Sequence, residues 1–169
     1  GRNRDENFGW DNEFCAQTLQ VPDFAIAARN VTNGEFLSFD LDGGYQDRTL
    51  WTDADWQWKT SRNVACPAFW ALGGQGYGSR GSFGELPLPS DWPATVSLAE
   101  ARAYVRYLHA NDPSTTARLP SESELHRAAY ADSETEPVLT PDSLAETALR
   151  PFPWPGTESV PLVHGNFGG

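Results

Sequence analysis

His109, His126 and His164 are the residues of this chain whose chemistry best suits a transition metal, because a neutral imidazole nitrogen is a ready ligand for iron or zinc. They stand far apart with no HxxxH-like spacing, so the pattern predicts no metal centre. His109 reads instead as a cation in the last turn of a helix, and His126 as a residue on an exposed helical face. The acidic pairs Asp40/Asp42, Asp53/Asp55 and Glu122/Glu124 have the form of acid and base partners, but in a chain with 23 carboxylates most such pairs are solvated. Cys15 and Cys66 are too few for a disulfide framework and have no neighbour at metal-ligand spacing. One bridge between them stays open beside the preferred reading of two small buried hydrophobes.

The glycine-rich run from Gly73 to Gly78 lacks the Lys-Ser/Thr that completes a phosphate loop, and no Gly-x-Ser-x-Gly elbow supports a serine hydrolase. What remains is aromatic. Trp51, Trp56, Trp58 and Trp70 fall in a stretch from Trp51 to Trp92 that mixes rings with Gly, Pro and charge. Such a segment either orders itself around its own side chains or forms a binding surface, and these four are the candidate binding residues.

The elements that must position these groups announce themselves by their caps. Thr32 with Glu35, Ser97 with Glu100 and Ser121 with Glu124 have the capping-box spacing, which predicts helices from Thr32 to about Leu41, from Ser97 through Leu108, and from Ser121 through Tyr130. Gly43-Gly44 should end the first. In the second, Leu98, Ala101, Tyr104, Val105 and Leu108 share one face, which predicts that this face meets the core. Alternation from Thr18 to Ala27 around Pro22 predicts short edge strands. The stretch from Trp51 to Trp92 reads as a long irregular insert, and the proline-rich tail from Asp132 onward as having little regular structure.

The whole chain, residues 1–169, reads as one domain or part of one, with 39% apolar and 12% aromatic residues to bury and 15 Gly and 13 Pro to turn on. A formal net charge of −11 with no Lys/Arg run argues against nucleic acid and against anionic membrane surfaces. No apolar stretch approaches the length of a membrane span, so a soluble and cytoplasmic protein is expected. The chain has no Met and ends on glycines, and both ends read as cut or processed.

Several segments, in order, resemble one family. Phe8-Gly9-Trp10-Asp11-Asn12-Glu13 is similar to the opening of sulfoxide synthases of ergothioneine and ovothiol biosynthesis. Asn30 to Phe36 resembles the PVTNGEF helix start of the wider sulfatase-modifying-factor superfamily, and Gly43-Gly44-Tyr45, Leu50-Trp51 and Trp56-Gln57-Trp58 resemble the run that follows it. Pro67 to Trp70, Leu88 to Pro93, Val96 to Ala101 and Arg118 to Glu124 are similar to its PxFW, LPxDWP, VSxxEA and RLPTExE blocks. Leu125 stands where the family usually has Trp, and Pro153-Trp154-Pro155 where it has PWG.

The resemblance implies a loop-rich α+β domain of the C-type-lectin-like formylglycine-generating-enzyme fold, truncated at its C-terminus. It implies a parent enzyme that joins a small-molecule thiol to a histidine derivative with O₂, using iron(II) held by a separate helical domain. This chain would then be scaffold and part of a substrate wall, inactive alone and without catalytic residues. The alternatives are a non-catalytic lectin-like binding module, using the four tryptophans, and a fragment of a formylglycine-generating enzyme. The copper-binding cysteines of the latter belong to a later part of that fold, so Cys15 and Cys66 do not inherit the role. Asn166-Phe167 matches a calcium-binding position of such domains, which makes Asn166 at most part of a calcium site whose other ligands lie beyond it.

Overall fold

The computed structural model describes Trp10, Asp11, Phe14 and residues 19–73 and 76–130. The chain divides into two compact units, Ala27–Leu119 and Gly1–Ile26 with Pro120–Gly169. The first runs α1 (Asn33–Leu41), a 3₁₀ turn (Arg48–Leu50), α2 (Asp53–Ser61), β1 (Trp70–Gly73), β2 (Gly76–Gly81), β3 (Gly84–Pro87) and α3 (Leu98–Asn111). The described part of the second holds α4 (Glu122–Tyr130). This is the loop-rich α+β architecture expected.

α1 forms where its cap dictates. Thr32 Oγ1 accepts from Glu35 N at 3.3 Å, and the Glu35 carboxylate accepts from Thr32 N at 2.7 Å. Helix starts leave further N–H groups without partners, and here a distant segment supplies them: Asn33 N donates to Trp92 O at 2.7 Å and Gly34 N to Ser90 O at 2.8 Å. The Asn33 side chain adds a bond to Pro89 O at 2.9 Å. The Leu88 to Pro93 block therefore serves as a backbone cap for α1, with Thr32 and Pro93 forming an isolated antiparallel bridge. At the other end Gly43 takes φ +84°, a conformation costly for any residue with a Cβ, and Gly44 N returns to Phe39 O at 2.8 Å.

The core of this unit is aromatic. Phe36, Phe39, Tyr45, Leu50, Trp51, Trp70, Ala99, Ala103 and Tyr104 form one buried cluster. Phe39 is its hub, with ring centroids 5.1 Å from Phe36, 5.5 Å from Tyr45, 6.5 Å from Trp51 and 6.0 Å from Tyr104. Offset and edge contacts of this kind add about 0.5–1.5 kcal/mol per pair beyond area burial.

α3 has the predicted capping box, Ser97 N to Glu100 Oε2 at 2.7 Å and Glu100 N to Ser97 Oγ at 3.3 Å. Its buried face is the predicted one only in part, since Tyr104 is in the core and Leu108 packs against it. Leu98 is 58% exposed, while Ala99, Glu100, Ala103 and Tyr104 are buried. The helix is turned toward its small residues because alanines allow close approach and because Tyr45 draws the Glu100 carboxylate inward. α4 also carries its box, with Ser121 N donating to Glu124 Oε2 at 2.8 Å and Glu124 N to Ser121 Oγ at 3.3 Å. Arg127 Nη1 of α4 reaches Val21 O at 2.7 Å within the same unit.

Two expectations fail. The segment from Trp51 to Trp92 is not irregular: it holds α2 and a three-stranded antiparallel sheet in the order β1-β2-β3, with Trp70 opposite Ser79 and Ser79 opposite Leu86. α2 was hidden because its N-cap Thr52 is followed by Asp55, too short to return the capping bond and engaged elsewhere. The sheet was hidden because its strands are four to six residues long and rich in glycine. Conversely, the described residues 19–27 form no strand, since alternation alone does not supply a partner for the backbone N–H and C=O groups. Among the described residues no helix is long and apolar enough to cross a membrane.

Candidate functional site

The four candidate tryptophans divide by depth. Trp51 and Trp70 are each 3% exposed and belong to the core. Trp51 Nε1 donates to Gly44 O at 2.9 Å, which satisfies the indole in the interior. Trp70 meets Phe36 edge-on at 6.1 Å and Tyr77 at 5.3 Å, on the side of the core formed by the sheet. Trp56 and Trp58, both on α2, are half-buried against the cluster.

Trp51 and Trp56 are brought together, 6.5 Å between centroids, and basic residues missed in the sequence join them. The Lys59 ammonium lies 4.9 Å from the Trp56 ring, 5.9 Å from Tyr45 and 6.0 Å from Trp51. The Arg48 guanidinium lies 5.5 Å from the Trp56 ring and pairs with Asp53. Burial holds the Lys59 pKa below the ordinary lysine value, and the negative faces of three rings oppose that loss of hydration. The signal was present in sequence as Trp56-x-x-Lys59, neighbours on one helical face, but it is readable only once α2 is recognised. Beside this group a shallow cavity of about 400 Å³ is lined by Arg48, Asp53, Trp56, Gln57, Thr60 and Ser61.

A second cleft, about 280 Å³, lies between α1 and the sheet and is lined by Gly34, Leu37, Leu41, Gly76, Tyr77, Leu88 and Ser90. Behind Tyr77 sits a polar cluster that sequence reading did not assemble. The Tyr45 hydroxyl donates to Glu100 Oε1 at 2.5 Å. Burial first, then the Glu100 charge, pushes the Tyr45 phenol far above its ordinary value. Tyr77 is pushed up to about 12 by burial and by its hydrogen bond with Asp40. Cys66 carries a free thiol, raised by burial and by the nearby Asp40 charge.

The paired carboxylates do not work as pairs. Asp40 is buried while Asp42 is exposed and accepts from the Tyr107 hydroxyl. Asp53 is fully solvated at the Arg48 pair, whereas Asp55 is buried with Arg102 Nη1 3.6 Å from its carboxylate. Glu124 is a cap and Glu122 is exposed. His109 is exposed and its Nε2 lies 2.7 Å from Ala117 O, and the His126 ring lies tilted against Tyr130 with centroids 5.7 Å apart. Among the described residues no three His, Cys, Asp or Glu side chains are grouped to hold a metal ion, so the donor set for iron(II) is not found in them. Gly73 and Gly76 are paired across β1 and β2. Cys15, His164 and Asn166 lie outside the described residues, and with them the partial calcium site, while Cys66, the partner of the bridge left open in the sequence, is a free thiol.

Residues 1–150 match the model of the sulfatase-modifying factor enzyme 1-like domain. The chain is 35% identical over 167 residues to the hercynine oxygenase of Mycobacterium tuberculosis (strain ATCC 25618 / H37Rv), covering 98% of this chain and 34% of that protein. It is 34% identical over 162 residues to the hercynine oxygenase of Mycolicibacterium thermoresistibile, covering 88% of this chain and 34% of the relative. The Mycolicibacterium smegmatis enzyme of the same name is 32% identical over 161 residues. The chain thus spans about a third of the length of the curated relatives it matches.

Proposed function

The chain belongs to the sulfatase-modifying factor enzyme 1-like family, and on that premise we propose that it forms the scaffold and part of the substrate wall of an iron-dependent sulfoxide synthase of the ergothioneine type. The single observation that carries the reading is the 35% identity to a hercynine oxygenase across 98% of the chain. The reaction joins a thiol donor to a histidine derivative by oxidative C–S bond formation. The described residues do not fit an iron site, so no step of that chemistry is assigned to them. Their part is to exclude water and to present Trp56, with the Arg48 and Lys59 cations over its ring, to a zwitterionic amino-acid derivative. Trp51 packs against Trp56 from within the core, while Trp70 and Trp58 belong to or pack against the same aromatic cluster.

Purified alone and supplied with iron(II), O₂, trimethylhistidine and γ-glutamylcysteine, the chain is expected to retain no stoichiometric iron and to form no sulfoxide product. Bound iron together with turnover would overturn this division of labour.

The open cavity at Trp56 also favours a binding role that can be tested separately. Acrylamide is expected to quench Trp56 while sparing Trp51 and Trp70, whose rings are buried. Trimethylhistidine should shield Trp56 from the quencher, and Trp56→Phe should abolish the shielding. Identical quenching with and without the ligand would leave the tryptophans a core role only.

A further inference from the structure

Trp56 already has two cations of its own. The Arg48 guanidinium lies 5.5 Å and the Lys59 ammonium 4.9 Å from its ring centroid, so the attraction that an indole face offers to a positive group is taken up within the chain. A third cation brought to the same ring would gain that attraction only against the repulsion of the two in place. An anion meets the opposite balance.

The two cations differ in how they are neutralised. Arg48 donates from Nη1 to Trp51 O at 2.7 Å and pairs through Nη2 with Asp53, whose side chain is 99% exposed. Lys59 has no carboxylate partner among the described residues and rests instead against Trp56, Tyr45 and Trp51. The pairing of Arg48 with so exposed a carboxylate contributes little, because water screens it and rehydrates either partner at small cost. Asp53 is a replaceable counter-ion. The guanidinium offers a planar fork of donors suited to a carboxylate, and Gln57 and Thr60, which line the same cavity, bring neutral donors to it.

We propose that the cavity beside Trp56 recognises its amino-acid ligand by the carboxylate, which displaces Asp53 from Arg48, and that the indole does not hold the ligand's cationic end. This rests on the binding role given to Trp56 above and adds which end of the ligand meets the wall. Asp53 is then an internal competitor, holding the guanidinium in the free chain and yielding it to the ligand.

The test is protection of Trp56 from acrylamide in the full chain at about pH 8, where an ordinary imidazole is neutral, with Trp56→Phe as the blank. Two probes divide the ligand. The compound 3-(imidazol-4-yl)propionate keeps the carboxylate and lacks the ammonium, while trimethylhistidine carboxamide keeps the trimethylammonium and lacks the carboxylate. The propionate should protect Trp56 at concentrations similar to those of trimethylhistidine, and the amide should fail to protect. Asp53→Asn, a change at a solvated side chain, should lower the trimethylhistidine concentration for half protection by about threefold. Protection by the amide equal to or greater than that by the propionate, or a midpoint that Asp53→Asn leaves unchanged or raises, would overturn the carboxylate assignment and leave Trp56 a binding wall of another kind. Absence of protection by trimethylhistidine itself would remove the binding role of Trp56, and the assignment with it.

Discussion

Gly44→Ala is expected to destabilise the chain by about 3 kcal/mol, at the upper end of what overpacking a core costs, read as a large fall in the midpoint of urea or thermal unfolding. A Cβ at this position would stand 2.2 Å from Cε2 and 2.3 Å from Cδ2 of Phe39. Neither side can yield. Phe39 is 0% exposed, enclosed by Phe36, Tyr45, Trp51, Tyr104 and Tyr107. The backbone at Gly44 is pinned through its N–H to Phe39 O at 2.8 Å and through its carbonyl to Trp51 Nε1 at 2.9 Å. A double-mutant cycle identifies the cause. Phe39→Ala alone should cost about 3–5 kcal/mol as a cavity, and in that background Gly44→Ala should cost little more, because the ring it strikes is gone. Simple additivity of the two losses would place the glycine requirement somewhere other than the ring.

Glu100→Ala is expected to cost a similar amount, about 3 kcal/mol, because one truncation has two consequences. It removes the returning half of the α3 capping box at Ser97 N, and it leaves the Tyr45 hydroxyl buried without an acceptor. The control lies within the same chain. Glu35 closes an equivalent box on α1 at the surface, and Glu35→Ala should cost only about 1 kcal/mol. Denaturant unfolding of both variants measures the difference, which is the contribution of the buried Tyr45 contact. Equal losses for the two would show that Glu100 acts as a cap and nothing more.

Much of the α-helical skeleton was legible because capping is local. Thr32 with Glu35, Ser97 with Glu100 and Ser121 with Glu124 each satisfy backbone donors within one turn, so three residues of spacing suffice to see them. What escaped was set by distance. The facing of α3 depends on Tyr45, fifty-five residues from Glu100. The burial of Asp40 depends on β2, which is itself too short and too glycine-rich to declare its period. The burial of Asp55 and its nearness to Arg102 likewise belong to the packing of α2 on α3. Of the candidate site, the tryptophans were visible as types, but their division into buried supports and a half-open surface follows from which face of α2 meets the core. Lys59 and Arg48 could not be attached to them before that helix was known.

The Leu88 to Pro93 segment that caps α1 begins directly after β3, and β3 itself ends at Pro87, paired with Gly78. A proline contributes no N–H, and Glu85 adds charge to the same short strand. With β2 on one side and a broken row of donors in its backbone, β3 is a poor template for a further strand. The meander therefore limits its own growth, and the same residues that turn the chain back toward α1 guard an exposed sheet margin against joining end over end with other copies into aggregates.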